Sequence, residues 1–98
     1  MPTPATPEPF AVRHWPERHS FEAVVDGASC VLAYQIDGPV MSILHTGVPP
    51  PVEGRGIAAA LTGAALAHAR SVGLKVRPLC SFARSYIQRH PETSDLLS

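Results

Sequence analysis

Two glycines separated by a single residue, Gly54 and Gly56, stand directly before an alanine-rich segment with helical periodicity. Glycine lets a backbone come close to a ligand, and the first turn of a helix carries N–H groups that have no intrahelical acceptor. Because the positive end of the helix dipole adds to their field, such N–H groups favour a phosphate or pyrophosphate. From spacing alone, an anion-binding loop and an ordinary helix start fit this stretch equally well.

Two common nucleotide-binding loops do not fit the same stretch. Residues 54–59 match a loose GxGxxA pattern, but a Rossmann unit runs from a buried strand straight into its loop and places an acid in the following strand. Here the prolines of residues 49–51 intervene, and the following strand carries Lys75. No Gly-Lys-Ser/Thr follows the glycines, which excludes a Walker loop.

Three other side chains are candidates for group transfer. Cys80 lies where a predicted strand meets a helix, which favours a nucleophilic thiolate, although a cysteine there is also often a small buried hydrophobe. Tyr86 is either a general acid or a core tyrosine. His45 is either a general base for an amine or a core histidine, since it shares a predicted strand face with Met41 and Ile43. The histidines show no metal-ligand spacing, so no metal site is predicted.

The elements that position these residues begin with a sheet. Apolar alternation predicts strands over residues 21–25, 30–36 and 40–46. Asp26-Gly27 and Asp37-Gly38-Pro39 are typical turn sequences, so the three strands form an antiparallel meander.

A helical crossover follows this meander. Apolar spacing predicts a helix over residues 56–72 with Gly73 as its C-cap. The next strand, 74–79, is then parallel to the third strand, and a second helix covers 81–89. The predicted fold is an α/β domain of order β-β-β-α-β-α.

Proline content sets the predicted boundaries. Five of the eleven prolines lie in the first sixteen residues, which predicts a tail without regular structure over residues 1–20 and one domain over 21–98. Residues 92–98 are predicted to be a short tail.

Charge and cysteine content exclude several classes of protein. Eight basic and eight acidic side chains give a formal net charge of zero, which argues against nucleic acid or an anionic membrane as the main partner. Two cysteines without a CxxC motif do not indicate a disulfide framework, and the expected compartment is the cytoplasm.

The loop also resembles a known family. Val48-Pro49 followed by Glu53-Gly54-Arg55-Gly56-Ile57-Ala58 and Leu61 is similar to the acetyl-CoA loop of the GNAT superfamily of N-acetyltransferases. The segments His45-Thr46, Leu74-Lys75-Val76, Cys80-Ser81-Phe82 and Tyr86-Ile87 resemble the small YjdJ-type N-acetyltransferase-like proteins. Gly56 and Ala58 match the superfamily loop, whereas Glu53 replaces its opening Gln or Arg.

The resemblance implies a site for acetyl-CoA. The loop amides would hold the pyrophosphate, the end of the third strand would pair with the pantetheine arm, and the thioester would lie towards Cys80. The implied binding residues are Leu44, Thr46, Val48, Gly54, Arg55, Gly56, Ile57, Ala58 and Cys80, and the implied catalytic residues are Cys80, Tyr86 and His45. Arg84 or Arg89 is expected to meet the 3′-phosphate.

The function implied is transfer of an acetyl group from acetyl-CoA to an unidentified amine. Because the chain ends soon after the second helix, the acceptor site is expected to be shallow, absent, or completed by a second copy in a homodimer. Two other classes remain open: a non-catalytic acyl-CoA-binding or sensing module, and a protein interaction domain.

Overall fold

A computed structural model describes residues 11–98 of the chain. In this part of the chain one sheet forms, with its strands in sequence order. The strands are β1 Arg13–Trp15, β2 Ser20–Val25, β3 Ala28–Asp37, β4 Val40–Gly47 and β5 Lys75–Pro78. The helices are α1 Ile57–Val72 and α2 Ser81–Arg89. Strands β1 to β4 are antiparallel neighbours, whereas β5 runs parallel to β4.

The predicted meander and crossover are confirmed. Asp26 and Gly27 both have positive φ, 50° and 77°, which is the backbone that a two-residue hairpin between twisted strands requires. Helix α1 then carries the chain from β4 to β5 as the predicted parallel crossover. None of the helices within residues 11–98 is long and apolar enough to cross a membrane.

The tail predicted over residues 1–20 contains a strand, β1. Arg13, His14 and Trp15 pair with Glu22, Phe21 and Ser20 in an antiparallel ladder. This short segment lies between prolines but contains none itself, so its N–H groups remain available for pairing. Residues 1–10, the rest of the predicted tail, lie outside the described residues.

The core lies between α1 and one face of the sheet. Helix α1 contributes the buried residues Ile57, Leu61, Thr62, Ala65, Leu66 and Ala69. Small alanine side chains bring the helix axis close to the sheet, where Leu32, Met41 and Ile43 are fully buried. Val72, the last residue of α1, is 56% exposed and lies outside this core.

The predicted C-terminal tail is partly wrong. Residues Pro91–Leu96 form a 3-10 helix, and Leu96 is buried in the core. Arg70 of α1 holds this segment through two hydrogen bonds to the Asp95 carboxylate, at 2.8 and 2.9 Å. The chain then returns to the sheet, where the Ser98 N–H donates to the carbonyl of Val76.

Candidate functional site

Strands β4 and β5 separate halfway along β4. Their parallel ladder ends where Ile43 pairs with Pro78, which has no N–H to continue it. The Ile43 carbonyl then accepts hydrogen bonds from the N–H groups of both Leu79 and Cys80, at 3.0 and 3.1 Å. Beyond this point, among the strands that the structure describes, β4 pairs only with β3, so its other edge is open to them as far as Gly47.

A cleft of about 690 Å³ lies at this opening. It is bounded by the end of β4, the loop before α1, the first turn of α1, and α2. The lining residues are Thr46, Gly47, Val48, Glu53, Gly54, Gly56, Ile57, Ala58, Ala59, Phe82 and Arg89. This volume is within the range of about 300–1,000 Å³ typical of small-molecule sites.

The loop before α1 takes a shape that requires its glycines. Gly54 and Gly56 have φ of 81° and 82°, a left-handed backbone that side chains disfavour. The first helical hydrogen bond of α1 runs from the Ala60 N–H to the Gly56 carbonyl. The earlier N–H groups, those of residues 57–59, therefore have no intrahelical acceptor, and within residues 11–98 the N-cap position supplies no side-chain hydrogen bond to them. Free N–H groups of this kind are the donors that an anion would need, which is the first of the two interpretations that the sequence left open.

A β-bulge decides which side chains of β4 turn towards the site. Ile43 pairs with Tyr34, but the next residue of β3, Ala33, pairs with His45, so Leu44 is an extra residue in β4. One extra residue reverses the alternation of faces. His45 is therefore exposed, and its predicted place on the face of Met41 and Ile43 is wrong.

Cys80 lies at the start of α2, next to the cleft. It is the N-cap residue of α2, and its Sγ lies 3.7 Å from the Thr46 hydroxyl oxygen. Burial raises the pKa of the Cys80 thiol, but hydrogen bonds from the backbone of Ala83, the Thr46 hydroxyl and the backbone of Phe82 outweigh burial and leave the pKa below its ordinary value. Because Phe82 and Ala83 lie in the first turn of α2, the helix dipole favours the thiolate in the same direction.

The charged side chains around the cleft make different contacts. Arg55 lies 2.6 Å from the Asp26 carboxylate in an exposed ion pair. Arg84 donates to the carbonyl of Leu79 at 3.0 Å. Arg89 lines the cleft, as does the carboxylate-bearing Glu53. An anion in the cleft would therefore meet Arg89 on one side and Glu53 at the loop.

The chain was compared with known protein families and structures. Residues 20–96 match the family model described as GCN5-related N-acetyl-transferase. The chain belongs to this family. The protein NATD1 of Mus musculus is 33% identical over 86 residues, which cover 85% of this chain and 78% of the relative. NATD1 of Homo sapiens is equally identical, over 85% and 76% of the two chains.

A solved structure has the same fold. It is the NMR structure of a GCN5-like protein from Staphylococcus aureus, with a TM-score of 0.72 and 26% sequence identity. The match covers 90% of this chain and 87% of that one. The GCN5-related fold is thus present here in a small form: a mostly antiparallel sheet, a crossover helix, one parallel strand and a second helix.

Most of the binding residues that the resemblance implied do meet at the cleft of this GCN5-related domain. Those that line it are Thr46, Val48, Gly54, Gly56, Ile57 and Ala58. Leu44, Arg55 and Cys80 are not among the lining residues. Leu44 is the extra residue of the bulge in β4, and the Arg55 guanidinium is paired with Asp26. Cys80 lies next to the cleft, in contact with the lining residue Thr46.

Tyr86 is placed elsewhere. It lines a second cavity of about 190 Å³, which shares no lining residue with the cleft. Its hydroxyl lies against α1, where a Cβ on Gly63 would come within 3.1 Å of it, and its ring stacks on His90 with centroids 4.0 Å apart. The general-acid role of Tyr86 stays a prediction that this position does not favour.

Two residues that line the cleft were not predicted there, Ala59 and Phe82. One signal was present: Phe82 and Arg89 are seven residues apart in a helix, so they lie two turns apart on one face. Arg84, two residues after Phe82, points to another side of α2, which separates it from Arg89.

Proposed function

We propose that this protein binds acetyl-CoA in the cleft and transfers its acetyl group to an amine. One observation supports this most strongly. The open edge of β4 and the unpaired N–H groups of the first turn of α1 border the same cleft. A ligand with an amide-rich arm and a pyrophosphate needs these two features side by side.

The residues present suit each part of such a ligand. The N–H groups of residues 57–59 would donate to the pyrophosphate, where the helix dipole adds to their field. The backbone at the end of β4 and just after it, from Thr46 to Val48, would pair with the pantetheine amides, as an added strand pairs with a sheet edge. Arg89 would balance phosphate charge, whereas Glu53 would reduce the affinity of the loop end.

Acetyl-CoA supplies an acetyl group already activated as a thioester. The chain's own part is to hold the thioester where β4 and β5 separate, and to keep Cys80 close to it. In a direct route, the neutral amine attacks the acetyl carbon, the bond to the CoA sulfur breaks, and CoA leaves as its thiol with the proton that the amine loses. In a two-step route, Cys80 Sγ bonds to the acetyl carbon while the bond to the CoA sulfur breaks, CoA leaves as its thiol, and the amine then attacks acetyl-Cys80 and regenerates the cysteine.

Isothermal titration of the whole protein with acetyl-CoA, CoA and ATP tests the binding step. We expect saturable binding of both CoA forms, and a loss of about tenfold or more in Gly56→Glu, because a side chain there enters the cleft and brings negative charge to the anion site. Gly73→Glu is the matched control. Gly73 has φ of 79° at the other end of α1, and like Gly56 it has open space around a Cβ.

The outcomes separate the remaining functions. No heat for either CoA form, with the protein folded, would contradict the acetyl-CoA site and leave an interaction domain. Equal losses in Gly56→Glu and Gly73→Glu would show only that strain weakens the fold.

The transfer step is tested by incubating the protein with acetyl-CoA and a panel of primary amines, and by following free thiol release. In the two-step route Cys80→Ala abolishes turnover but keeps CoA affinity, and intact-protein mass spectrometry detects acetyl-Cys80 in the wild type. In the direct route turnover survives Cys80→Ala. Binding without turnover on any amine would favour the sensing module.

A further inference from the structure

Thr46 occupies the position that regular alternation would have given to His45. The bulge at Leu44 pairs Thr46 with Leu32, and Leu32 is fully buried on the face covered by α1. Bulges next to functional sites commonly re-aim one side chain in this way. The side chain turned inwards at the end of β4 is therefore a small hydroxyl rather than an imidazole.

The same hydroxyl meets both the cleft and the thiol. Thr46 lines the cleft, and its Oγ1 lies 3.7 Å from Cys80 Sγ. The backbone of Cys80 is fixed on both sides: its N–H donates to the Ile43 carbonyl, and its carbonyl accepts from the Arg84 N–H, each at 3.1 Å. With the backbone held, the contact with the Thr46 hydroxyl is the side-chain contact that helps to fix the direction of the sulfur.

We propose that Thr46 is a positioning residue: its hydroxyl holds the Cys80 sulfur at the edge of the cleft and donates a hydrogen bond to the thiolate. This inference rests on the proposed function only in that Cys80 adjoins the bound thioester. In the protonated state the thiol donates to Thr46, and on ionisation the hydroxyl rotates and becomes the donor. The hydroxyl therefore stabilises the charged form of the thiol more than the neutral form.

The test measures the ionisation of Cys80 without any CoA. The rate of alkylation by iodoacetamide is followed against pH, with mass spectrometry of the separated Cys80 and Cys30 peptides. Thr46→Val keeps the shape of the side chain. In this variant we expect the midpoint of the Cys80 alkylation rate against pH to move to higher pH, and the alkylation rate near neutral pH to fall about three- to tenfold. Thr46→Ser restores the hydroxyl and should restore most of the rate.

Two controls separate positioning from structure. Thr93→Val removes a threonine hydroxyl at the second cavity, which shares no lining residue with the cleft, and should leave the Cys80 profile unchanged. Cys30 is fully buried, so its alkylation reports unfolding in every variant. At high pH, where both proteins carry a full thiolate, the wild-type and Thr46→Val rates should converge.

The opposite results would overturn the proposal. A Thr46→Val profile that superimposes on the wild type, or that is slower by the same factor at every pH, would show that the hydroxyl does not act on the thiolate. Because no acetyl-CoA is present, failure here is independent of the titration with acetyl-CoA. A shifted profile in a protein that binds no CoA would uphold the role of Thr46 and reject the proposed function.

Discussion

At the scale of single residues, tertiary contacts decide which arginine is available to a phosphate. Arg55 lies in the loop itself, yet its guanidinium pairs with Asp26 of the β2–β3 turn at 2.6 Å. Arg84 donates to the main chain at the end of β5. Arg89, which is more distant in sequence, lines the cleft. The pair with Asp26 instead ties the loop before α1 to the hairpin.

Arg89→Ala should weaken CoA binding about three- to tenfold, because the cleft loses a charge-assisted donor. If Arg89 meets the 3′-phosphate, the variant should bind CoA and 3′-dephospho-CoA with equal affinity, whereas the wild type prefers CoA. Titration calorimetry with the two ligands measures both effects. Arg84→Ala removes the same charge from the same helix and should leave the preference intact. An equal loss in the two variants would count against a local role for Arg89.

At the scale of elements, β1 is held to the domain by aromatic contacts of His14. The His14 ring stacks on Phe21 with centroids 4.1 Å apart, and its Nε2 lies 2.6 Å from the Tyr34 hydroxyl. The His14 ring also packs edge-to-face against His68 of α1, with ring centroids 4.3 Å apart. Burial lowers the pKa of His14, the neighbouring His68 lowers it further, and Glu17 opposes the shift. Strand β1 is thus attached most firmly when His14 is neutral.

The stability of the wild type should therefore fall more steeply in mild acid than that of His14→Phe. The unfolded chain takes up a proton at His14 near the ordinary pKa of 6.5, whereas the folded protein takes it up only at lower pH. The contribution of His14 is then complete above that value and decreases as the pH falls through 6.5 towards the lowered pKa. Phenylalanine keeps the stacking but cannot titrate.

Urea unfolding of both proteins at about pH 8 and about pH 5 measures this difference. At the higher pH the variant should lose about 1 kcal/mol through the missing hydrogen bond to Tyr34. Parallel decreases in the free energy of unfolding of the two proteins would show that His14 does not titrate with folding.

At the scale of the whole molecule, the C-terminal segment completes the core. Leu96 is 5% exposed and packs with the core cluster, while the next residue, Leu97, forms a single parallel bridge with Val76 and is 42% exposed. Arg70 and Lys75 both donate to Asp95, so α1 and β5 hold the segment together. The pKa of the Asp95 carboxyl is lowered by its hydrogen bonds with Arg70.

Leu96→Ala should lower the free energy of unfolding by about 2–4 kcal/mol, because the side chain leaves a cavity in a closed core. Leu97→Ala removes the same number of atoms from an exposed position and should cost under about 1 kcal/mol. Chemical denaturation of the two variants tests the contrast. Equal, small effects would mean that the segment lies on the domain without completing its core.

The sequence by itself determined most of the elements of this protein. Apolar alternation, the Asp-Gly turn at 26–27 and the glycine caps of α1 act over a few residues, so they can be read locally. The order of strands and helices and the position of the glycine loop at the start of α1 were therefore predictable. The missed β1 shows the limit of composition: many prolines discourage strands, but a three-residue segment between them can still pair with a neighbouring strand.

Only the tertiary structure decided which side chains face the site. The bulge at Leu44 depends on how β4 pairs with β3, and it turns Thr46 inwards and His45 outwards. Likewise, the partners of Arg55 and the position of Tyr86 depend on contacts between residues that are distant in the chain. Period and spacing describe one segment at a time, whereas the direction of a side chain in a cleft is fixed by its register against other segments.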